Sequence, residues 1–184
     1  MRWSARLVAG VIAGLLLSTY ATMATASADL GARRTPKATV VDNPCTLLAV
    51  KQVKKEFGGP VATPLLNKLF LTCKYAVGTD PTQAGGTLGA VLLFPSFLSH
   101  TGTAKAAYED QHAFDMLSNH VITDVNGVGR SAYMNLTNGE LVVLATKRFV
   151  FTLRWQPAPA RPVNARDIKK LTALAKLVVP RFPR

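Results

Sequence analysis

Residues Ala132–Trp155, AYMNLTNGELVVLATKRFVFTLRW, decide the fold class of this chain. They contain three short apolar runs, which predict strands at Ala132–Leu136, Leu141–Thr146 and Phe149–Trp155. Asn138-Gly139 separates the first two runs, and this pair favours a tight turn because both residue types tolerate positive φ. In the last run, large apolar residues alternate with smaller or polar ones. This alternation is typical of a strand that packs one face on a core.

The sequence on either side adds three helices and three more strands. Apolar residues at intervals of three and four predict helices at Pro44–Phe57, Thr103–Leu117 and 164–178. Apolar runs predict strands at Leu69–Val77, Thr87–Phe94 and His120–Val125. The order is helix, two strands, helix, three to four strands and helix. We therefore expect an α+β fold, an antiparallel β-sheet covered by helices in an α/β/α sandwich.

Two local patterns make the helix predictions more specific. Asn164 followed by Asp167 resembles a capping box with a shorter acidic residue, so the last helix is expected to begin there. In the central helix, the residues expected to face the core are Ala106, Ala107, Phe114 and Leu117.

Residues 1–28 have the pattern of a secretory signal peptide. Arg2 and Arg6 precede an apolar run from Leu7 to Leu17, and Ala26-Ser27-Ala28 ends the segment. This arrangement predicts cleavage after Ala28. The run is shorter than the roughly 20 residues that span a bilayer, which leaves a retained anchor as the alternative. The sequence thus predicts a secreted or extracytoplasmic protein of the cell envelope.

Cleavage leaves 156 residues, enough for one domain with a core. Residues 29–42 mix small, basic and proline residues without apolar periodicity and are expected to form a flexible leader. A single α+β domain is then expected over 43–184.

The charge of the chain is strongly basic. It has 22 Lys and Arg against 10 Asp and Glu, and because residues 1–28 hold two arginines and no acid, the remainder carries +10. Such an excess favours anionic partners such as wall polymers or lipid head groups, or serves only to keep an exported protein soluble. No basic block interleaved with aromatic residues is present, so no nucleic-acid binding is expected. The candidate basic surface consists of the helix lysines Lys51, Lys54, Lys55, Lys169, Lys170 and Lys176.

Cys45 and Cys73 are the cysteines of the chain. In an oxidising compartment an even pair is expected to form a disulfide. A thiol nucleophile is an alternative that needs an activating base nearby. Lipid attachment is another, but it needs a cysteine directly after the apolar run, whereas Cys45 follows Asp42-Asn43-Pro44.

Several segments together resemble a known family. CTLLAVKQVKKEFG (45–58) places a cysteine at the start of a leucine-rich helix, and TCKY (72–75) places the second cysteine two residues before an aromatic. A central helix, the turn-and-strand unit 125–133, a glycine-turned hairpin and a closing Leu/Ala/Lys helix follow. The chain resembles the actinobacterial cell-envelope lipoproteins and secreted proteins of unknown function that adopt a PsbP-like sandwich. The resemblance implies a non-catalytic envelope domain with a helix-to-strand disulfide and supplies no catalytic residues. This chain lacks the lipidated cysteine of that family.

Residue patterns that would indicate catalysis are weak. The spacing of His100, His112 and His120 matches no metal site, and no serine lies in a Gly-x-Ser-x-Gly elbow. His112 could share a helix face with Glu109 and Asp115, but a solvated surface with local ion pairs explains this spacing more simply. We therefore expect no enzyme activity, no catalytic residue, no metal and no cofactor.

Three hypotheses for function follow. The first is an exported, monomeric, non-enzymatic binding or interaction domain of the cell envelope with an unknown partner. One candidate partner is an apolar or lipidic ligand in a groove between sheet and helix, with Phe97 and Leu98 as candidate rim residues. The second is a basic protein that adheres to anionic wall polymer or lipid. The third is a hydrolase whose site is assembled across the fold. A lined apolar cleft favours the first, a contiguous basic face the second, and titratable groups inside a pocket the third.

Overall fold

An antiparallel sheet organises the part of the chain that the computed structural model describes, residues 43–78, 86–93 and 102–183. In these residues the sheet has seven strands in the order β1-β2-β3-β7-β6-β5-β4. The strands are β1 (Leu65–Asn67), β2 (Thr72–Ala76), β3 (Gly86–Leu93), β4 (Ile122–Asp124), β5 (Ser131–Asn135), β6 (Glu140–Leu144) and β7 (Val150–Pro157). The predicted α+β class is confirmed. The predicted signal peptide, the whole predicted leader 29–42, and Phe97 and Leu98 lie outside the described residues.

Three α-helices accompany the sheet in the same part of the chain. They are α1 (Val50–Phe57), α2 (Ala104–Leu117) and α3 (Ala165–Val178), with 3-10 turns at Pro44–Thr46 and Val179–Arg181. The first predicted helix is therefore interrupted between its 3-10 turn and α1. The reason is a tertiary hydrogen bond: the Tyr75 hydroxyl donates to the Leu48 carbonyl at 2.6 Å, and Ala49 is extended.

Helices cover both faces of the sheet. On one face α3 packs against β7 and β6, and α1 packs against α3, with Val53, Leu171 and Leu174 fully buried. On the other face α2 packs through Ala104 and Ala107. The prediction that the last strand packs through one face is therefore wrong. Val150, on its second face, is only 1% exposed, because α2 covers that face.

The buried face of α2 also differs from the prediction. Phe114 and Leu117, expected in the core, are 60% and 84% exposed, whereas Asp115 is fully buried. Asp115 accepts a hydrogen bond of 2.7 Å from the Tyr133 hydroxyl, and this bond turns the polar side chain toward the sheet. The apolar residues beside it then face solvent.

Three turns lie at the same end of the sheet. Cross-strand pairing aligns Thr72 with Val91, Thr152, Val142 and Tyr133 in one row across five strands. The turns 68–71, 125–130 and 145–149 all lie beyond this row on the same side. We call this side the basic end, because its turns contain Lys68, Arg130, Lys147 and Arg148 and no acidic residue.

The predicted capping box of α3 is present. The Asn164 side chain accepts from the Asp167 amide, and the Asp167 carboxylate accepts from the Asn164 amide, both at 3.1 Å. Arg161 adds an ion pair to Asp167 at 2.6 Å. Burial raises the pKa of the Asp167 carboxyl, but the bonds from Arg161 and Asn164 outweigh it, and the net pKa is lowered.

We expect Asp167→Ala to lower the free energy of unfolding by about 1–2 kcal/mol at neutral pH, measured by urea titration. Because the folded-state pKa is lowered, the stabilisation is present above the pKa of the unfolded carboxyl and is lost as pH falls through the folded value. The difference between variant and wild type should therefore shrink in acid. Asp110→Ala, at an exposed position of α2, is the control. An equal loss in the two variants would contradict the capping role.

Candidate functional site

A cavity of about 560 Å³ opens at the basic end of the sheet. Its apolar lining comes from Ala145, Val179, Pro180 and Phe182, and Phe182 is held in place by stacking on Phe149 at 5.1 Å. Its charged lining is entirely cationic. We call this cavity the basic groove, and its lining residues are Arg130, Ala145, Thr146, Lys147, Arg148, Val179, Pro180 and Phe182.

Local backbone structure positions the three cations of the groove. In the β6–β7 turn, the Thr146 hydroxyl accepts from the Arg148 amide at 3.1 Å, which leaves Lys147 and Arg148 exposed at the tip. Arg130 is placed by its own amide, which donates to the Leu144 carbonyl at 2.8 Å. Gly129 permits this approach, since its φ is +59° and a Cβ there would lie 2.6 Å from the Leu144 carbonyl oxygen.

The electrostatics of the groove favour an anionic ligand. Arg130, Lys147 and Arg148 make no salt bridge with any described residue. Their charges are therefore free to pair with a ligand, and arginine suits carboxylate or phosphate because its planar fork donates two hydrogen bonds at once. The apolar floor can bury a hydrocarbon segment of the same ligand.

A second cavity, of about 470 Å³, lies beside α2 and the β4–β5 loop. Tyr108, Glu109 and His112 line it on the helix side, and residues 124–132 line it on the loop side. Burial, with a smaller contribution from Asp124, raises the pKa of the Tyr108 hydroxyl to about 12, so this phenol stays protonated at neutral pH. Arg130 lines both cavities.

A buried polar cluster joins α2 to the sheet. We define it as Asp115, His120, Tyr133 and Asn135. Besides the Tyr133 bond, His120 Nδ1 lies 3.0 Å from one Asp115 oxygen and 3.1 Å from the Asn135 side-chain nitrogen. Burial, followed by the hydrogen bond to Asp115, raises the pKa of the Tyr133 hydroxyl far above its usual value. The cluster connects α2 to β5, and neither of the two cavities described above is lined by one of its members.

This cluster replaces the arrangement that the sequence suggested around His112. Glu109 does not join His112 and Asp115 on a shared polar face. It pairs with Lys105 at 3.3 Å, while the His112 ring packs edge-on against Tyr133 at 4.8 Å. Spacing along the helix could not reveal the cluster, because Tyr133 and Asn135 come from β5.

The predicted disulfide is confirmed: Cys45 and Cys73 are bonded, with Cα atoms 5.1 Å apart. It joins the 3-10 turn Pro44–Thr46 to β2. The sequence predicts this strand as the first of the chain, but it is the second, because the sequence pattern does not indicate β1. The thiol-nucleophile alternative is therefore excluded for this oxidised form.

The predicted basic surface lies on two helices that contact each other, α1 and α3. Lys170 is half-buried, with its ammonium group 5.0 Å from the centre of the Phe57 ring. The other five lysines are exposed: Lys51, Lys54, Lys55, Lys169 and Lys176. A binding role for them stays a prediction.

Within the described ranges, no three His, Cys, Asp or Glu side chains are grouped so as to hold a metal ion. No helix of those ranges has the length and apolar character needed to cross a membrane. Comparison of the chain with known protein families, curated proteins and solved structures gives no match.

Proposed function

We propose that this chain is an exported, non-enzymatic binding domain of the cell envelope whose ligand is an anionic amphiphile held in the basic groove. The observation that carries the proposal is the lining of the groove, where Arg130, Lys147 and Arg148 surround an apolar floor without a carboxylate partner in the described chain. A ligand with an anionic head and a hydrocarbon tail satisfies both parts of this lining.

The size of the groove agrees with a small ligand. Its volume of about 560 Å³ lies within the roughly 300–1,000 Å³ of typical small-molecule sites. We therefore favour a single-chain lipid or a comparable anionic amphiphile over an extended polymer.

The compartment in this proposal rests on the N-terminal pattern and the disulfide. The segment 1–28 has the features of a signal peptide, and the Cys45–Cys73 bond is compatible with an oxidising environment outside the cytoplasm. An antiparallel sheet with helices on both faces supports the proposed kinship with the PsbP-like envelope proteins. Without a cysteine directly behind the apolar run, we propose a form that is not lipidated.

The hydrolase alternative draws on the second cavity, which Glu109, His112 and Asp124 line. In the described chain, however, Glu109 pairs with Lys105 and the His112 ring packs on Tyr133, so these groups are not joined as an acid–base pair.

The buried polar cluster offers less support for a hydrolase. Asp115, Tyr133 and Asn135 are all fully buried. Of the cluster members, His120 is the one with a partly exposed side chain, at 20%. The groove, in contrast, contains cations and apolar side chains but no group suited to act as a general base at neutral pH.

A second candidate function is adhesion to anionic wall polymers through the helix lysines. It is favoured by the contact between α1 and α3, which brings two lysine-bearing helices together. The two candidates use different cations, so charge-neutral variants distinguish them.

The test is calorimetric titration of the exported chain with lysophosphatidylglycerol below its micellar concentration. We expect binding that weakens as salt rises, because exposed charges are screened over about 10 Å at 0.1 M salt. Replacing Arg130, Lys147 and Arg148 by Gln should weaken binding by about tenfold or more, equivalent to about 1.4 kcal/mol. Lysophosphatidylcholine, which has no net charge, should bind more weakly than the anionic lipid.

The matched control removes the same number of charges from α1, in Lys51→Gln, Lys54→Gln and Lys55→Gln. This variant should bind lysophosphatidylglycerol as wild type does. If the α1 variant loses binding and the groove variant keeps it, the groove proposal is wrong and adhesion through the helix lysines takes its place.

A further inference from the structure

The turn between β1 and β2 presents two consecutive large apolar side chains to solvent. Leu69 is 83% exposed and Phe70 is 65% exposed. We call residues 68–71 the hairpin tip. Scattered exposed apolar residues are common on protein surfaces, but adjacent Leu and Phe residues at the end of a hairpin form a projecting apolar point.

Hydrogen bonds fix the hairpin tip in this conformation. The Asn67 side-chain oxygen accepts from the amides of Leu69 and Phe70, at 3.0 and 3.2 Å. Leu71 then adopts a left-handed conformation, with φ of 48°. These contacts fix the backbone of the turn, and in this backbone conformation both side chains are exposed.

The charges around the hairpin tip are positive. Lys68 belongs to the tip itself and is exposed, and Lys74 is exposed on β2. The strand register places the tip at the basic end of the sheet, the end that also bears Arg130, Lys147 and Arg148. The exposed side chains of Leu69 and Phe70 thus project from the basic end of the sheet, where the charged residues of the turns are all cationic.

We propose that the basic end is a membrane contact in which Leu69 and Phe70 insert into the interface of an anionic bilayer. Insertion removes apolar surface from water, and the surrounding cations gain attraction to anionic head groups. A second copy of this chain is a poorer occupant of the same surface. A symmetric contact between two basic ends would bring like charges together.

The hairpin tip is a surface separate from the interior of the basic groove. The groove could take a monomeric ligand whether or not the tip inserts, and the tip could insert with the groove empty. The experiments therefore use bilayer vesicles, in contrast to the monomeric lipid that tests the groove.

The molecule supplies a matched control pair of exposed apolar residues. Phe114 and Leu117 are 60% and 84% exposed, close to the values for Phe70 and Leu69. They lie near the end of α2, on either side of Asp115. The position of this helix end follows from two contacts, Asp115 with His120 and His120 with Asn135. Asn135 is the last residue of β5, so this pair lies toward the opposite end of the sheet.

The first experiment is sedimentation of the exported chain with large vesicles of phosphatidylglycerol and phosphatidylcholine. We expect Leu69→Ser with Phe70→Ser to weaken vesicle binding by about tenfold or more, since each inserted side chain contributes favourable transfer from water. Phe114→Ser with Leu117→Ser should leave binding unchanged. Vesicles of phosphatidylcholine alone should bind the wild type weakly.

The second experiment detects insertion directly. In Phe70→Trp, the emission of the new tryptophan should shift to the blue with anionic vesicles and be quenched by brominated lipid. Trp155 is only 6% exposed and supplies a constant background. Phe114→Trp should show neither change.

Three results would overturn the proposal. These are equal vesicle binding by the two serine double variants, the absence of quenching in the Phe70→Trp variant, and a wild-type dimer that the tip variant dissociates. The groove proposal fails separately. If the groove variant loses no affinity for lysophosphatidylglycerol while Phe70→Trp is still quenched, the groove assignment is wrong and the membrane contact stands.

Discussion

Replacing both Cys45 and Cys73 by alanine is expected to lower the free energy of unfolding by about 2–5 kcal/mol. The bond spans 28 residues of sequence and closes a loop that contains α1 and β1. Without it the unfolded chain gains conformational freedom, and the 3-10 turn loses its covalent attachment to β2. Alanine is preferred to serine because Cys73 is fully buried, where an added hydroxyl would need a partner.

The measurement is urea unfolding of wild type and double variant, each with and without reductant. Reductant should destabilise the wild type to the level of the variant and leave the variant unchanged. A wild-type midpoint that does not respond to complete reduction would contradict the expected contribution of the bond.

The second large effect is expected at Asp115. Asp115→Ala should lower the free energy of unfolding by about 2–4 kcal/mol, because it leaves the buried Tyr133 hydroxyl and the His120 ring without their acceptor. The end of α2 also loses its connection to β5. We expect the loss of stability to be accompanied by faster amide exchange near residues 112–120.

Two variants separate this connection from a general effect of removing a charge. Asp110→Ala, on the exposed side of α2, should change stability by less than about 0.5 kcal/mol. Tyr133→Phe removes one of the bonds to Asp115 and should cost less than Asp115→Ala. An Asp115→Ala protein as stable as wild type would show that the cluster contributes nothing to the fold.

Much of the fold could be predicted because its signals are local. The helices α2 and α3 lie where the sequence predicts them, and the strands β5 to β7 follow apolar runs, the first two of which are separated by a glycine turn. The features that escaped prediction depend on distant partners. The break before α1 depends on Tyr75, 27 residues after Leu48, and the orientation of α2 depends on Tyr133.

The basic groove could not be recognised for a similar reason. Arg130 comes from one turn and Lys147 and Arg148 from another, while Phe182 follows the last helix. No continuous stretch of charged or apolar sequence contains all of them. The periodicity of the sequence and the spacing of its motifs therefore do not indicate the site. The lysines of α1 and α3 were more conspicuous because they are periodic, which favoured a helix surface over a groove between turns.

The pairing of β3 with β7 has a consequence for the order in which the protein can fold. These ladder partners are far apart in sequence, from Leu93 with Val150 to Gly86 with Pro157, and they join β1–β3 to β4–β7. Closing such long loops is slow compared with forming local hairpins. A chain that crosses a membrane from its N-terminus, as we propose for this one, cannot complete its sheet until residues 150–157 have emerged. The strands β1–β3 thus remain without β7, their neighbour at the centre of the sheet, until that last strand has crossed.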